Sequence, residues 1–580
     1  MAKLTVQNEG KQLAASCIQF GWWASLRLVL ACGLIMAAGW GIRGSFGHSR
    51  GAMMPGAMLG LTLAACSLRR DWWNRTAILG FLAMIGWGFG GTCSYGLLIG
   101  YSMGGTYTNS LYGMTSLFLV GALYAGIGAG LLSLGLTERR RTLESAVLPM
   151  IVVYGTWLLL EASGATAWSH ALCAKESSDS LQTSWLYDVL WLPTLVALLF
   201  GVVFRLGPSK FRDVGELILL LSLGWWLATG MLVGLLGLRI NPGRSDAWAG
   251  CLGVLLGLVA FLWRRNNRAG LMLTSYGALS GGLGFACGDF IQVLGRGKWG
   301  PIGSYPVLQE FGYWTVMEQF FGLCMGIGVG LAGLRLIRGG LVAAEESCQT
   351  ANRQAGSHSP KLFNGFAVFC LLGLLYAINS RTNVAAWLKD GSLPALTTGL
   401  SSLVVLWICR IVALTVLLYA IVRTARGQLS CLPLSPLGRA QTLCVLVVGM
   451  VLSLYLMLPG LPLPTALMFF VAIAVGLTLV LGLPDPQVSK AATGLQADGN
   501  RASTTDAASD AVTGEGSGGR VNTDATPADA SRWRLGWRHW ALWCLAPVVL
   551  LLLAQGAMQM ELPVKQIRFP VPLPVSHSVN

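Results

Sequence analysis

Long apolar runs, separated by short breaks rich in charge, Gly, Pro or Asn, dominate this chain of 580 residues. They fall at 24–41, 51–68, 77–100, 112–136, 145–161, 186–206, 215–238, 246–263, 269–294, 313–337, 361–378, 396–422, 438–459, 463–483 and 539–556. Roughly 20 apolar residues cross the ~30 Å hydrocarbon core of a bilayer as a helix. In lipid only helices and closed barrels pair every backbone N–H and C=O, and these runs are too long and too continuously apolar for barrel strands. The predicted fold is therefore all-α: a polytopic integral membrane protein of about fourteen or fifteen transmembrane helices.

Composition agrees, since 54% of residues are hydrophobic and only 11% are charged, against roughly 25% charged in a soluble domain. The net charge of +15 does not point to nucleic acid, because the basic residues sit in short loops instead of on one soluble face. Their distribution predicts orientation, as cytoplasmic loops carry the Lys and Arg excess. One set of alternate loops holds Lys3, Lys11, Arg69, Arg70, Arg75, Arg139 to Arg141, Arg205, Lys210, Arg212, Arg264, Arg265, Arg268, Arg335, Arg338, Arg353, Lys361, Arg423, Arg426 and Arg439. The opposite set holds Arg43, Arg50, Lys175, Arg239, Arg244, Arg296, Lys298, Arg381 and Lys389, which is 9 against 21. This bias places the amino terminus in the cytoplasm and the protein in a cell (inner) membrane, with lipid as its principal partner.

The remaining segments follow from the same reading. Residues 1–23 form a cytoplasmic segment, and the first helix is predicted to stay uncleaved: Arg27 interrupts the stretch before Cys32, and Leu30 is too large for a lipoprotein-type cleavage site. Residues 484–532 are nearly free of aromatic and large aliphatic side chains and are expected to be a disordered cytoplasmic linker. Arg532, Arg534 and Arg538 with Trp533, Trp537 and Trp540 mark the inner interface of the last helix, 539–556, and the Pro-rich tail 557–580 would lie outside. Fourteen cysteines without a C-x-x-C pair imply neither a disulfide framework nor a zinc site, and no cofactor motif is present.

The chain shows signs of duplication. GIGAGL at 126–131 returns as GIGVGL at 326–331, Gly88, Gly90 and Cys93 return as Gly282, Gly284 and Cys287, and Arg69, Arg70 and Arg75 are echoed by Arg264, Arg265 and Arg268. These matches predict two parallel six-helix units, 24–206 and 215–422, followed by a helix pair at 438–483. That layout resembles the major-facilitator transporters, whose halves are related by an axis along the membrane normal, although CSLRRDWWNR replaces the facilitators' G-x-x-x-D-R-x-G-R-R loop. The G-x-G-x-x-G-x-C-x-x-G string beginning at Gly86 is similar to one in sulfur-compound permeases.

The richest candidate chemistry lies in GWGIRGSFGHSRGAMMPG at 39–56, where Arg43, His48 and Arg50 place three potential cations within eight residues of a stretch too rich in Gly for a straight helix. Irregular backbone at membrane depth is tolerated where it lines protein or a wet cavity; the plainer reading is an outer loop whose arginines anchor at headgroups. GWGFGGTCSYG at 86–96 resembles this stretch without its basic residues. Asp289 and Glu318 are the acidic candidates, because intramembrane carboxylates usually face a cavity or a partner. Misplaced helix ends would instead leave both at the interface. Cys93 and Cys287 read as small buried residues, and Gly56 and Gly60 as helix-packing contacts.

These features fit best a secondary carrier of a small polar or anionic solute, bound by Arg43, His48 and Arg50 with Asp289 or Glu318 coupling a proton. A membrane-embedded transferase acting on a lipid-linked or acyl substrate at the outer face, with His48 or Glu318 as general base, uses the same residues. A structural or partner-binding membrane protein is the third class.

Overall fold

The computed structural model describes residues 21–104, 106–173, 185–241, 246–298, 300–344, 362–391, 402–425, 435–460, 463–483 and 534–558, together with Arg568. The predicted linker, nearly all of the external tail and all but the end of the N-terminal segment lie outside the described residues. The principal helices are α1 (Trp22–Arg43), α2 (Ser49–Ala65), α3 (Thr76–Gly90), α4 (Tyr107–Thr137), α5 (Arg140–Ala162), α6 (Trp191–Leu206), α7 (Arg212–Ala228) and α8 (Trp248–Arg264). They continue with α9 (Arg268–Arg296), α10 (Tyr313–Arg338), α11 (Leu362–Lys389), α12 (Ser402–Ala425), α13 (Pro436–Leu456), α14 (Leu463–Leu481) and α15 (Arg534–Met558).

A helix lies on each predicted span, and among the described residues eight helices are long and apolar enough to cross a membrane, by length and composition. Side-chain caps start several of them. Thr106 accepts from Asn109 N–H before α4, Asn267 from Gly270 N–H before α9, and Ser435 from Gly438 N–H before α13, each pairing one of the orphan donors of a first turn. Large apolar side chains stay exposed on the outer helices: Leu158 and Leu159 on α5, Val203 and Leu206 on α6, Ile411 and Val416 on α12. Water would penalise a surface of that kind, whereas lipid solvates it.

One stretch differs from the expectation. The predicted span 77–100 is broken, because α3 ends at Gly90 and the chain turns through 91–95 before resuming as a short helix, Gly96–Ser102. Thr92 N–H and its hydroxyl both donate to Phe89 O, and Cys93 N–H donates to Gly90 O, so the turn uses up carbonyls that a continuing helix would need. Segment 39–56, too rich in Gly for one straight helix, is two helices joined by a tight turn. Helix α1 runs to Arg43 and α2 starts at Ser49, while Gly39 leaves room for Pro55 of α2, which a Cβ would approach to 3.0 Å.

Six helices close a ring in the order α1, α2, α3, α4, α9, α10 and back to α1. Glycine permits the close approaches, because dispersion and backbone contact, not hydrophobic transfer, hold helices together in lipid. At the α4–α9 crossing, a Cβ on Gly121 would sit 2.2 Å from Gly281 O, and one on Gly281 would sit 2.2 Å from Gly121 O. Gly56 and Gly60 seat α2 on the α3 backbone in the same way. The neighbours of the matched glycine strings are not equivalent: α3 borders α2 and α4, whereas α9, its counterpart in the sequence match, borders α4 and α10.

Bonds between loops join members of one predicted set. At one end Arg75 donates to Gly135 O and Glu138 O at 2.8 and 2.9 Å and also to Ala344 O. There Arg265 pairs with Asp213 at 2.7 Å and Arg27 reaches Gly482 O at 2.9 Å. Burial raises the Glu138 carboxyl above its ordinary range, with Arg265 opposing. At the other end Arg50 and Arg381 share Glu161 at 2.9 and 3.1 Å.

Candidate functional site

The break after α3 places Tyr95 inside the helical ring. Its ring packs edge-on against Phe285 of α9 and Phe321 of α10, 5.2 and 5.9 Å between centroids, and lies parallel to Trp314. The Tyr95 hydroxyl donates to Glu318 Oε1 at 2.5 Å and accepts from Arg43 Nη2. Arg43 and Glu318 are 3.5 Å apart, with side chains only 1% and 3% exposed. A tyrosine hydroxyl thus bridges a buried cation and a buried anion.

The guanidinium of Arg43 also lies over aromatic faces, 4.8 Å from the Trp40 centroid, 5.0 Å from Tyr95 and 6.0 Å from Tyr124. Desolvated cation–π contacts of this kind contribute about 2 kcal/mol. His48 stands at the rim, its Nδ1 3.5 Å from Arg43 Nη1. Gly44 makes room for the carboxylate, since a Cβ there would lie 2.3 Å from Glu318 Oε2. Gly44, Ser45, Gly47 and His48 are exposed, so the cluster lies one layer beneath the surface turn joining α1 to α2.

Two donors in this cluster are left over. Arg43 Nε and the indole N–H of Trp40 are both buried, and neither finds an acceptor among the described residues. Buried donors without acceptors are uncommon and costly, about 1–3 kcal/mol each.

Of the five residues singled out in the sequence, Arg43, His48 and Glu318 come together. Arg50 does not join them: it is about half exposed and turns to Glu161 and Arg381, because it follows Ser49 at the start of α2, beyond the turn that buries Arg43. Asp289 is fully buried elsewhere on α9 and forms no ion pair among the described residues. The expected single cavity shared by all five is therefore not what the side chains form. Cys93 and Cys287 are buried free thiols, as expected of small core residues.

Comparison with protein families, curated proteins and solved structures finds no match.

Sequence reasoning missed Tyr95, Trp40, Tyr124 and Trp314, which look like ordinary membrane aromatics. One signal was available: GWGIRGS and GWGFGGT end two helices at the same point of the motif, Arg43 and Gly90, and the second string leads directly to Tyr95.

A second polar group sits just ahead of α6 and α8. Asp188 Oδ2 accepts from Arg239 at 3.1 Å, and Asp246 Oδ1 accepts from the N–H groups of Ile240 and Asn241, both at 2.9 Å. The cluster ties the loop before α8 to the segment before α6, which is a structural role.

Proposed function

We propose that this chain is a multi-pass carrier of a small polar or anionic solute, with Arg43 as the anchoring cation and Glu318 as its exchangeable counter-ion. The observation that carries the reading is the pair of buried, unpaired donors, Arg43 Nε and Trp40 Nε1, beside a guanidinium already braced by Tyr95. An oxyanion or a small polar acceptor would satisfy both. The break in the helix beside this group adds support, because interrupted helices at membrane depth commonly build carrier sites.

The chemistry follows from charge balance. With no solute, Glu318 neutralises Arg43 through Tyr95. An anion taking up the guanidinium displaces the carboxylate, and a proton on Glu318 then keeps the buried group neutral. His48, between the surface turn and Arg43, is placed to pass that proton. Tyr95 can rotate its hydroxyl from Glu318 to the incoming anion.

The same reading includes about fourteen or fifteen crossings, a cytoplasmic amino terminus in a cell (inner) membrane, and two parallel six-helix units at 24–206 and 215–422. Loop charge supports the orientation. For the two units the support is the sequence match, with both glycine strings abutting α9 through Gly126 on Ala278 and Gly328 on Ser280. One observation favours the second reading, a transferase working at the outer face: the described opening to the cluster, at 44–48, is on a single side.

Thermal unfolding of the purified protein against a panel of inorganic oxyanions and small carboxylates tests the anchoring role. At least one anion is expected to raise the midpoint of the wild type by mass action and to leave Arg43→Gln unmoved. No response across the panel, or a response that survives in Arg43→Gln, would count against it.

A further inference from the structure

Asp289 stands one turn along α9 from Phe285, and Gln292 three residues further. The spacing 285, 289, 292 keeps all three on one helix face, the face from which Phe285 meets Tyr95, Trp40 and Tyr124. The side chains are buried, Asp289 completely and Gln292 to 2% exposure. Both carboxylate oxygens of Asp289 and the Oε1 of Gln292 lack a hydrogen-bond donor among the described residues. The Ser102 hydroxyl lies within hydrogen-bond reach of the Asp289 carboxylate and donates to Ile99 O at 2.7 Å. Oxygens from two elements thus gather where no described residue supplies a cation.

A carboxylate at membrane depth is held only with a compensating positive charge. Neighbouring side chains usually supply it, as Arg43 does for Glu318; at Asp289 none of the described residues does. A carboxylate, an amide carbonyl and a hydroxyl are the oxygen donors that hard cations prefer, and a proton shared between Asp289 and Gln292 would satisfy the same oxygens.

We propose that Asp289, Gln292 and Ser102 form an oxygen-lined site for one monovalent cation, Na+ or a proton, on the ring-facing side of α9. Its use as the coupling-ion site rests on the carrier reading; its existence does not. Binding neutralises the carboxylate without any covalent change, and release returns the charge to the ring interior one helical turn from Phe285. Solute and cation would therefore act on adjoining turns of the same lining.

The test uses the full-length protein in detergent with no solute. Na+ is raised against choline at constant ionic strength, and the pH is varied from about 5 to 8 with the unfolding midpoint as readout. For a sodium site, Na+ raises the wild-type midpoint, the shift disappears in Asp289→Asn and shrinks in Gln292→Met. For a proton site, Na+ has no effect, and the pH dependence of the wild type exceeds that of Asp289→Asn by the uptake of one proton. Identical responses of wild type and Asp289→Asn to both Na+ and pH would overturn the site, as would a Na+ shift that persists in both variants. Asp289→Asn keeps the shape of the side chain, and Gln292→Met provides a second folded background. Because no solute is involved, failure of the anion response at Arg43 leaves this result untouched.

Discussion

Replacing Arg43 with Gln should destabilise the protein by about 3–5 kcal/mol, the usual loss when one member of a buried pair is removed and the other is stranded. Glu318 would remain with 2% exposure, held by the Tyr95 hydroxyl and Trp314 but facing no cation. Glu318→Gln should cost a similar amount by leaving the guanidinium without its counter-ion. The double variant should recover part of the loss, since two amides can hydrogen-bond through Tyr95 without net charge. Arg50→Gln is the internal control: its partner Glu161 is half exposed and also held by Arg381, and exposed pairs contribute about 0–1 kcal/mol. Equilibrium unfolding in mixed micelles as a double-mutant cycle reads these values. Additive losses at Arg43 and Glu318 would show that the two do not act as a pair.

The second large effect is expected where two backbones touch. Gly281→Ala introduces a Cβ only 2.2 Å from Gly121 O, and no side chain stands between them that could move aside. Helices α4 and α9 must separate, with a cost of about 1–3 kcal/mol for one methyl group and more for Val. The disturbance should reach the site, because α4 carries Tyr124 and α9 carries Phe285, both packed around Tyr95. Gly449→Ala, where the added Cβ meets nothing within 4 Å, should be neutral or slightly stabilising through helix propensity. Equal unfolding midpoints for Gly281→Ala and Gly449→Ala would contradict this account of the crossing.

Much of the architecture was legible because lipid is a demanding solvent. Span length, loop charge and interfacial aromatics report directly on helices that must satisfy their own backbones, and a helix lies on each of the predicted spans. The break at 91–95 was less legible, since GWGFGGTCSYG carries no charge and reads as continuous helix; only the turn bonds from Thr92 and Cys93 reveal it. Intramembrane charge drew attention to Glu318, because burying it without a partner is costly, and the Gly-rich stretch 39–56 drew attention to Arg43. Grouping Arg50 with Arg43 by sequence distance failed for a simple reason: α1 ends between them, and the chain reverses at 44–48. Tyr95 carries no charge and has no periodicity, so its place at the centre of the ring follows only from packing.

The central claim is that the space around Tyr95, Arg43 and Glu318 is a carrier site reached from both membrane faces. Phe321 follows Glu318 by three residues along α10 and packs at 5.9 Å against the Tyr95 ring. The direct measurement places a single cysteine there, Phe321→Cys in a background free of the fourteen native cysteines, and applies a small charged thiol reagent to sealed vesicles from one face at a time. A carrier predicts modification from each face, slowed by the anion that stabilises the wild type. Modification from the face of the 44–48 turn alone, or from neither face, would contradict it.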